Sequence, residues 1–488
     1  MNEFIKRIIL LPVIAMLGLP AIAQETPPAP SAPRSVVVPP VKEKKLANGL
    51  TVVVVEKRSS ALVTAQLLVR GGGRHEGLAK AGLANTTADM LTKGTKTRTA
   101  TQIAESMEFL GGSINSSTGW NGSNVTASFT SDKIDKAMAI LADVVLNPSF
   151  KQEEIDLVKS QALDGLTYNL KQPGFLANYV ASRYSFNEHP VDGTPDSIKG
   201  LTRDDLVEFH KERYTPSNAV LILTGDITQE KANALTQQLF GRWKDAVARA
   251  LYTVTGDQPA KYPGERQILR RILVIDLPDS GQAAVKYLKA GEGISRSSKD
   301  YYPASVLNSL LGGGYSSRLN QEIRIKRGLS YGAGSGFAWR SWKSNFATST
   351  QTKNESAAEV AELVVAEIKK LGDRSAEDKE LGPRKLVLNG NFGSALETTG
   401  GIAGLLSELY TFDLPPTDLI SYMTNVRTVS NLQVRDFAYK NFKDGDIIIV
   451  GDAKLFMDDL KKRFPRTPIE TIKADDLDLG TVSFRKGN

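Results

Sequence analysis

Apolar and polar positions change period several times along this chain, and each change marks an element. "KLANGLTVVVVEK" (45–57) places an Asn48-Gly49 turn before a β-branched run from Thr51 to Val55, which predicts a strand. "LVTAQLLVR" (62–70) predicts a second strand. A helical period then covers 79–92. Further helices are expected near 101–109, 132–146 and 152–170, the last stopping before Pro173. "SNAVLILTGDIT" (217–228) reads as a strand closed by a Gly-Asp turn, and "QEKANALTQQLFGRW" as an amphipathic helix behind it.

The second half repeats this plan. "ILVIDLP" (272–278) and "AAVKYLKAG" (283–291) read as strands, and "YYPASVLNSLLGG" (301–313) as a helix. "GDIIIVGDAKLFMDDLKKRF" (445–464) echoes the earlier strand, Gly-Asp turn and helix, so that Gly225-Asp226 and Gly451-Asp452 occupy corresponding places. A two-fold internal repeat is expected, with its seam inside a linker at 246–270. Two unrelated α/β domains are the plainer alternative on pattern alone.

Composition narrows the class. With 488 residues, 41% hydrophobic and 24% charged, the chain can bury a core in two or more domains. The formal charge of +7 is spread among nearly as many acids, with no dense basic run, which argues against a nucleic-acid partner. There is no cysteine, so disulfides, thiolate nucleophiles and Cys-ligated zinc are excluded. The start, "MNEFIKRIILLPVIAMLGLPAIAQ", has Lys6 and Arg7, a short apolar run and an Ala21-Ile22-Ala23 end. It reads as a signal peptide over 1–23, with export most simply to a bacterial periplasm and no stable membrane insertion after cleavage. A proline-rich tether follows at 24–42.

"GLANTTADMLTKGT" (82–95) has the frame of a metal-binding helix without its ligands. Gly82, Ala84, Met90, Leu91, Lys93, Gly94 and Thr95 match the surroundings of the H-x-x-E-H helix of inverted zincins. The chain thus resembles the pitrilysin/insulinase metallopeptidases, particularly the short subunits like those of mitochondrial processing peptidase. In that alignment the two His positions fall on Asn85 and Asp89 and the Glu position on Ala88. The family's third ligand, a later Glu, aligns with Gly165, beside Asp164. Two His at i and i+4 share one helix face and can grip one Zn²⁺, while the Glu takes a proton from metal-bound water. Asn and Ala can do neither, so no metal is expected on this chain. His75, His189 and His210, its only histidines, are expected to be surface or packing residues; His75-Glu76 lacks the second His of an H-E-x-x-H helix.

A second stretch keeps its motif. "LLGGGYSSRLNQEIRIKRGLSYGAGSGF" (310–337) resembles the family's C-terminal signature, S-R-L-x-x-x-x-R-x-K-R-G-L-x-Y. The resemblance implies that Arg324 holds a substrate carbonyl and that Tyr331 donates its hydroxyl to an oxyanion or a neighbouring carbonyl. Gly312, Gly313 and Gly314 are candidates for a substrate-contacting turn, or for a plain helix-ending one. "GLSYG" (328–332) imitates a serine-hydrolase elbow, but no histidine follows it, so the usual triad order is impossible.

The resemblance covers roughly 43–465 and implies an α+β fold of two homologous α/β domains, each a mostly antiparallel sheet covered by helices. These would be an N-terminal peptidase-like domain at 43–245, a C-terminal one at 271–470 and a tail at 471–488, together half of a clamshell. It further implies a homologous zinc-bearing partner subunit, a peptide substrate bound partly by strand addition at 111–130, and zinc on the partner alone. The leading expectation is a non-zinc subunit of an exported heterodimeric metallopeptidase. The alternative is an inert peptide-binding or scaffolding pseudo-peptidase of the cell envelope.

Overall fold

A computed structural model describes residues 36–245 and 268–487, and the part from Val38 onward forms one compact unit. The expected signal peptide, residues 24–35 of the tether and residues 246–267 of the linker lie outside the described residues.

The β-branched runs form two six-stranded sheets. The first contains β1 (Lys42–Lys45), β2 (Thr51–Glu56), β3 (Leu62–Val69), β4 (Ser113–Thr118), β5 (Ser123–Thr130) and β6 (Ala219–Gly225) in the order β1-β2-β6-β3-β5-β4. The second contains β7 (Leu269–Asp276), β8 (Ala283–Glu292), β9 (Ala333–Trp339), β10 (Lys343–Thr352), β11 (Gly445–Gly451) and β12 (Ile469–Lys473) in the order β12-β7-β11-β8-β10-β9. β2 runs parallel to β6, and β7 to β11; from those strands to β4 or β9 every pairing is antiparallel. The sheets therefore repeat strand for strand. They differ at one edge, where β1 lies antiparallel to β2 but β12 lies parallel to β7. Since β12 spans position 471, the segment expected as a free tail begins inside the second sheet.

The repeated Gly-Asp turns have a packing cause. A Cβ on Gly225, which sits at φ +129°, would meet the Leu62 carbonyl oxygen at 2.1 Å. One on Gly451 would meet Asn354 Oδ1 at 2.5 Å. Each central strand ends where its neighbour begins, and only glycine leaves that space.

Both faces of each sheet are covered, which explains why "TVVVV" and "IIIV" do not alternate with polar residues. In the second sheet Ile272, Val274, Val285 and Ile449 face one core, while Leu273, Ile275, Leu288 and Ile448 face another. That second core is completed from the other half, by the helix Pro173–Tyr184 with Leu176, Ala177, Val180 and Tyr184. Pro173 starts this helix with a pre-set φ, and its apolar residues recur at helical spacing. Reciprocally, the helix Thr399–Thr411 of the second half packs on β3 and β6 of the first sheet. Thr224 Oγ1 donates to the Thr399 carbonyl at 2.8 Å, and Arg70 Nε to the Tyr410 carbonyl at 3.0 Å. These two helices occupy equivalent places in the repeat, each following a long helix (Gln152–Asn169 and Asp378–Leu396). The halves have exchanged helices.

An ion cluster ties the exchange. Glu188, just past the first exchanged helix, accepts from Arg340, on the turn joining β9 and β10, at 2.9 and 2.7 Å and lies 3.2 Å from Nζ of Lys343, the first residue of β10. Burial works to raise the Glu188 carboxyl, but Arg340 and Lys343 hold it below its ordinary value. Removing one member leaves buried charge uncompensated, so Glu188→Ala should cost about 3 kcal/mol in urea unfolding at pH 7. With its folded pKa depressed, Glu188 stabilises above its unfolded value of about 4.3 and loses that effect as pH falls through the folded one. The gap between wild type and variant should therefore shrink in unfolding series run below about pH 4.

Candidate functional site

The metal-type helix forms as Leu83–Leu91. Gly82 precedes it at φ 90° and offers no side-chain cap. Glu76 supplies one: its carboxylate accepts from Gly82 N at 2.8 Å and Ala84 N at 2.6 Å. Burial pushes this carboxyl up to about 8, against the pull of the Ala84, Gly82 and Leu83 amides. His189 stands 3.7 Å away, its Nε2 close to the Gly73 and Glu76 carbonyls at 2.9 and 3.1 Å. His210 Nε2 meets the Val145 carbonyl at 2.8 Å, and burial lowers its pKa to about 4. His75 is half-buried with Gly72 N at 3.4 Å from Nδ1. None of the three histidines bonds to Asn85, Asp89 or Asp192 among the described residues, and His189 and His210 are packing residues.

The helix forms one side of a cleft of about 420 Å³. Ser116 of β4 lines another side, Val158 to Asn169 of the Gln152–Asn169 helix a third, and Phe175 and Asp192 the rest. Asn85, Asp89 and Gly165 all open into it. The fold thus brings Asn85, Asp89 and Gly165 to one place. A Cβ on Gly165 would meet nothing within 4 Å. Ala88 is fully buried, and Asp164 is exposed and outside the lining.

These residues do not fit zinc. Asn85 Nδ2 reaches only Asp89 Oδ2, at 3.4 Å, and Gly165 has no donor. No group of three His, Cys, Asp or Glu side chains converges among the described residues. Asp89 is the one ionisable remnant. Burial raises its carboxyl to about 6; Lys93 opposes that rise and Asp192 adds to it.

β4 borders the cleft and is also the last strand of its sheet. Its side chains alternate between exposed and half-buried, and its outer edge pairs with no strand among the described residues. This is the edge expected in 111–130.

Arg324 lies in a π-helical turn, Asn320–Ile325, anchored by buried Leu319 and Ile323. Asn320 pins the turn, donating to the Tyr315 carbonyl at 2.5 Å and accepting from Ala333 N at 3.2 Å. Nearby cations are committed: Arg318 to Glu380 at 2.6 and 2.7 Å, and Lys326 and Arg327 to Glu322. Arg324 makes no ion pair among the described residues and rests over the Tyr315 ring at 4.9 Å. Tyr331 is 89% exposed, and no described residue bonds to its hydroxyl. Neither residue lines the cleft.

The glycine run divides. A Cβ on Gly312 would meet Ser335 N at 2.3 Å and one on Gly313 the Ser309 Cα at 2.6 Å, so both have a packing role against the helix Tyr301–Leu311 and the start of β9. Gly314 faces open space but for Arg384, 3.8 Å off. "GLSYG" lies in the turn before β9 and not between a strand and a helix.

Sequence reasoning missed the cap. Glu76 was weighed only as part of an incomplete H-E-x-x-H. Its distance ahead of an uncapped Gly82-Leu83 start was the available signal. Asp192 and Ser116 carried no local signal, since only the fold brings them to the cleft.

Residues 51–178 match the family model "Insulinase (Peptidase family M16)" and residues 200–382 match "Peptidase M16 inactive domain". A Rickettsia felis protein named as an uncharacterized zinc protease is 26% identical over 84% of this chain and 98% of its own length. One of the same name from Rickettsia bellii is 30% identical over 60% of this chain and 68% of its own length. The crystal structure of a Pseudomonas fluorescens peptidase M16 inactive domain is similar at TM-score 0.75 and 28% identity, covering 84% of this chain and 98% of that one. A Helicobacter pylori protease shares the fold at TM-score 0.78 and 23% identity, over 84% and 99%.

Two outcomes test this description. Asp89 has a raised folded pKa, so its ionisation opposes folding as pH rises through about 6. Asp89→Asn should gain about 1–2 kcal/mol in urea unfolding at pH 8 and almost nothing at pH 4, the upper figure reduced for partial exposure. Separately, Asn85→His with Ala88→Glu and Asp89→His should leave the chain without zinc-dependent cleavage. Adding Gly165→Glu should give stoichiometric zinc on metal analysis. Strong zinc-dependent activity in the triple variant would relocate the third ligand.

Proposed function

This chain belongs to the insulinase (M16) peptidase family, and we propose that it is the non-zinc subunit of an exported heterodimeric metallopeptidase. A homologous partner subunit carries the zinc. This chain contributes one wall of a peptide chamber and two donors, Arg324 and Tyr331. The observation that carries the reading is the contrast between two motifs. The ligand positions hold Asn85, Asp89 and Gly165 and the base position Ala88, while the Arg324–Tyr331 stretch keeps its residues with both functional groups unspent among the described residues.

The chemistry follows from those groups. The Arg324 guanidinium has no carboxylate partner to displace among the described residues, so it holds a substrate carbonyl at little cost. The exposed Tyr331 hydroxyl donates to charge developing on the scissile carbonyl oxygen. Unfolded peptide adds as a strand to the open edge of β4. Gly314 leaves room for peptide backbone beside the Arg324 turn. The signal-like start supports export to the periplasm, and no helix among the described residues is long and apolar enough to cross a membrane.

The test is reconstitution. Co-expressed with an M16 neighbour that has an intact H-x-x-E-H helix, the chain should co-purify, and the mixture should cleave unstructured peptides that neither chain cleaves alone. Peptide binding without cleavage in any mixture would favour the inert binding module. Chelator-sensitive cleavage by this chain alone would refute both readings. In the active mixture, Tyr331→Phe should lower kcat by about 10²-fold with little change in KM, the scale of losing one oxyanion donor.

A further inference from the structure

The loop Arg70-Gly71-Gly72-Gly73-Arg74-His75 leaves the end of β3 and lines neither the cleft nor the Arg324 turn. It is pressed against two neighbours. Gly73 N and Arg74 N donate to the Gly119 and Trp120 carbonyls, in the turn between β4 and β5, at 3.1 and 3.0 Å. Arg70 N donates to the Asn218 carbonyl at 3.0 Å, and Asn218 Nδ2 donates to the Arg213 carbonyl at 2.8 Å, at the end of the helix Arg203–Arg213. A Cβ on Gly71 would meet Arg213 Cβ at 2.7 Å, so the glycine lets the loop lie flush along that side chain. The result gathers cations with few anions. Arg70 is committed, to the Tyr410 carbonyl and to Asp413 at 3.0 Å. Arg213 is only 7% exposed, yet its guanidinium has no partner among the described residues: its Nε is sealed from solvent and its Nη groups are open to it. Arg74 spends Nη1 on Ser341 Oγ at 2.9 Å; its Nε is likewise sealed without a partner, and it makes no ion pair among the described residues. Of the acids whose charge acts on these two, Asp413 is already held by Arg70, and Glu212 makes no ion pair with Arg213.

We propose that Arg74 and Arg213, with His75 beside them, bind a doubly charged oxyanion: a phosphate group, free or on a small ester. Guanidiniums only donate, and sealing their N–H groups without an acceptor is costly, so the missing complement is an acceptor that carries charge. Two guanidiniums without carboxylates leave two positive charges to balance. A phosphate group supplies about −1.5 to −2 near pH 7 and three acceptor oxygens, where a carboxylate supplies one charge and two oxygens. His75 adds a neutral donor. Burial, Arg213 and Arg74 lower its pKa to about 4, so the ring is uncharged at pH 7. Its Nδ1 accepts from Gly72 N at 3.4 Å, which puts the proton on Nε2, and Nε2 has no partner among the described residues. The site goes beyond the peptidase reading. It uses neither the degenerate ligand positions nor Arg324 and Tyr331, and it stands whether or not a zinc-bearing partner exists.

Titration of the full chain with inorganic phosphate, methyl phosphate and acetate, followed calorimetrically at pH 7 and constant ionic strength, tests this. Phosphate should bind at one site, with acetate at least about tenfold weaker. Methyl phosphate bound as well as phosphate supports a phosphomonoester ligand, and its rejection supports the free ion. Arg213→Gln and Arg74→Gln should each weaken phosphate by about tenfold or more, the scale of losing charge-assisted hydrogen bonds. Arg435→Gln, whose guanidinium is paired with Asp436 on another helix, should leave it unchanged. Should Arg213→Gln unfold the chain, Arg74→Gln, on the half-buried loop, supplies the same readout. No saturable phosphate binding, acetate binding as tight as phosphate binding, or phosphate binding that survives both Arg74→Gln and Arg213→Gln would overturn the assignment.

Discussion

Each sheet in this molecule is buried on its second face by a helix that belongs to the other half, and the remaining architecture depends on that exchange. A sheet of "TVVVV" and "IIIV" strands left open on one side would expose a broad apolar face to water, which burial removes. The helix Pro173–Tyr184 seals the second sheet and the helix Thr399–Thr411 seals the first. Neither half can complete its core alone. This is why the chain from Val38 onward behaves as one unit although its sheets repeat strand for strand.

The exchange also positions the site. The helix that leaves to cover the second sheet starts at Pro173, right behind the long helix carrying Gly165, and its Phe175 forms part of the cleft. The loop after it carries Glu188, bound to the β9–β10 turn, and His189, packed beneath the Glu76 cap. Core, inter-half ion cluster and degenerate metal site are therefore adjacent parts of one packing problem. That adjacency gives a physical reason for the frame of the metal helix to persist without its ligands. Met90 and Leu91 are fully buried, and Gly82 lets Glu76 reach the helix amides, so these residues are held by folding energetics whether or not a metal binds. Asn85, Asp89 and Gly165 face the cleft instead.

Charge is distributed in keeping with this division. Acids and bases at structural places are paired with close geometry, as at Arg318–Glu380 and Arg340–Glu188. Groups without an ion-pair partner among the described residues stand at openings: Asp89 in the cleft, and Arg324 and Tyr331 beside the second sheet's edge strand.

Much of this was legible along the chain. The β-branched runs, the Gly-Asp echoes and the helix periods gave the elements and the repeat, because strand and helix periodicity are local properties. Motif context singles out the ligand positions 85, 89 and 165 and the base position 88, and the fold gathers 85, 89 and 165 at one cleft. What covers the second face of each sheet was not legible, since an uninterrupted apolar strand states that both faces are buried without saying by what. The Glu76 cap was visible only as a fragment of the wrong motif, and Asp192 and Ser116 had no local signature at all. Sequence determined which residues could do chemistry and which no longer can. Tertiary structure alone decided which of them stand together, because contacts between distant segments are set by how the exchanged helices pack and not by any spacing along the chain.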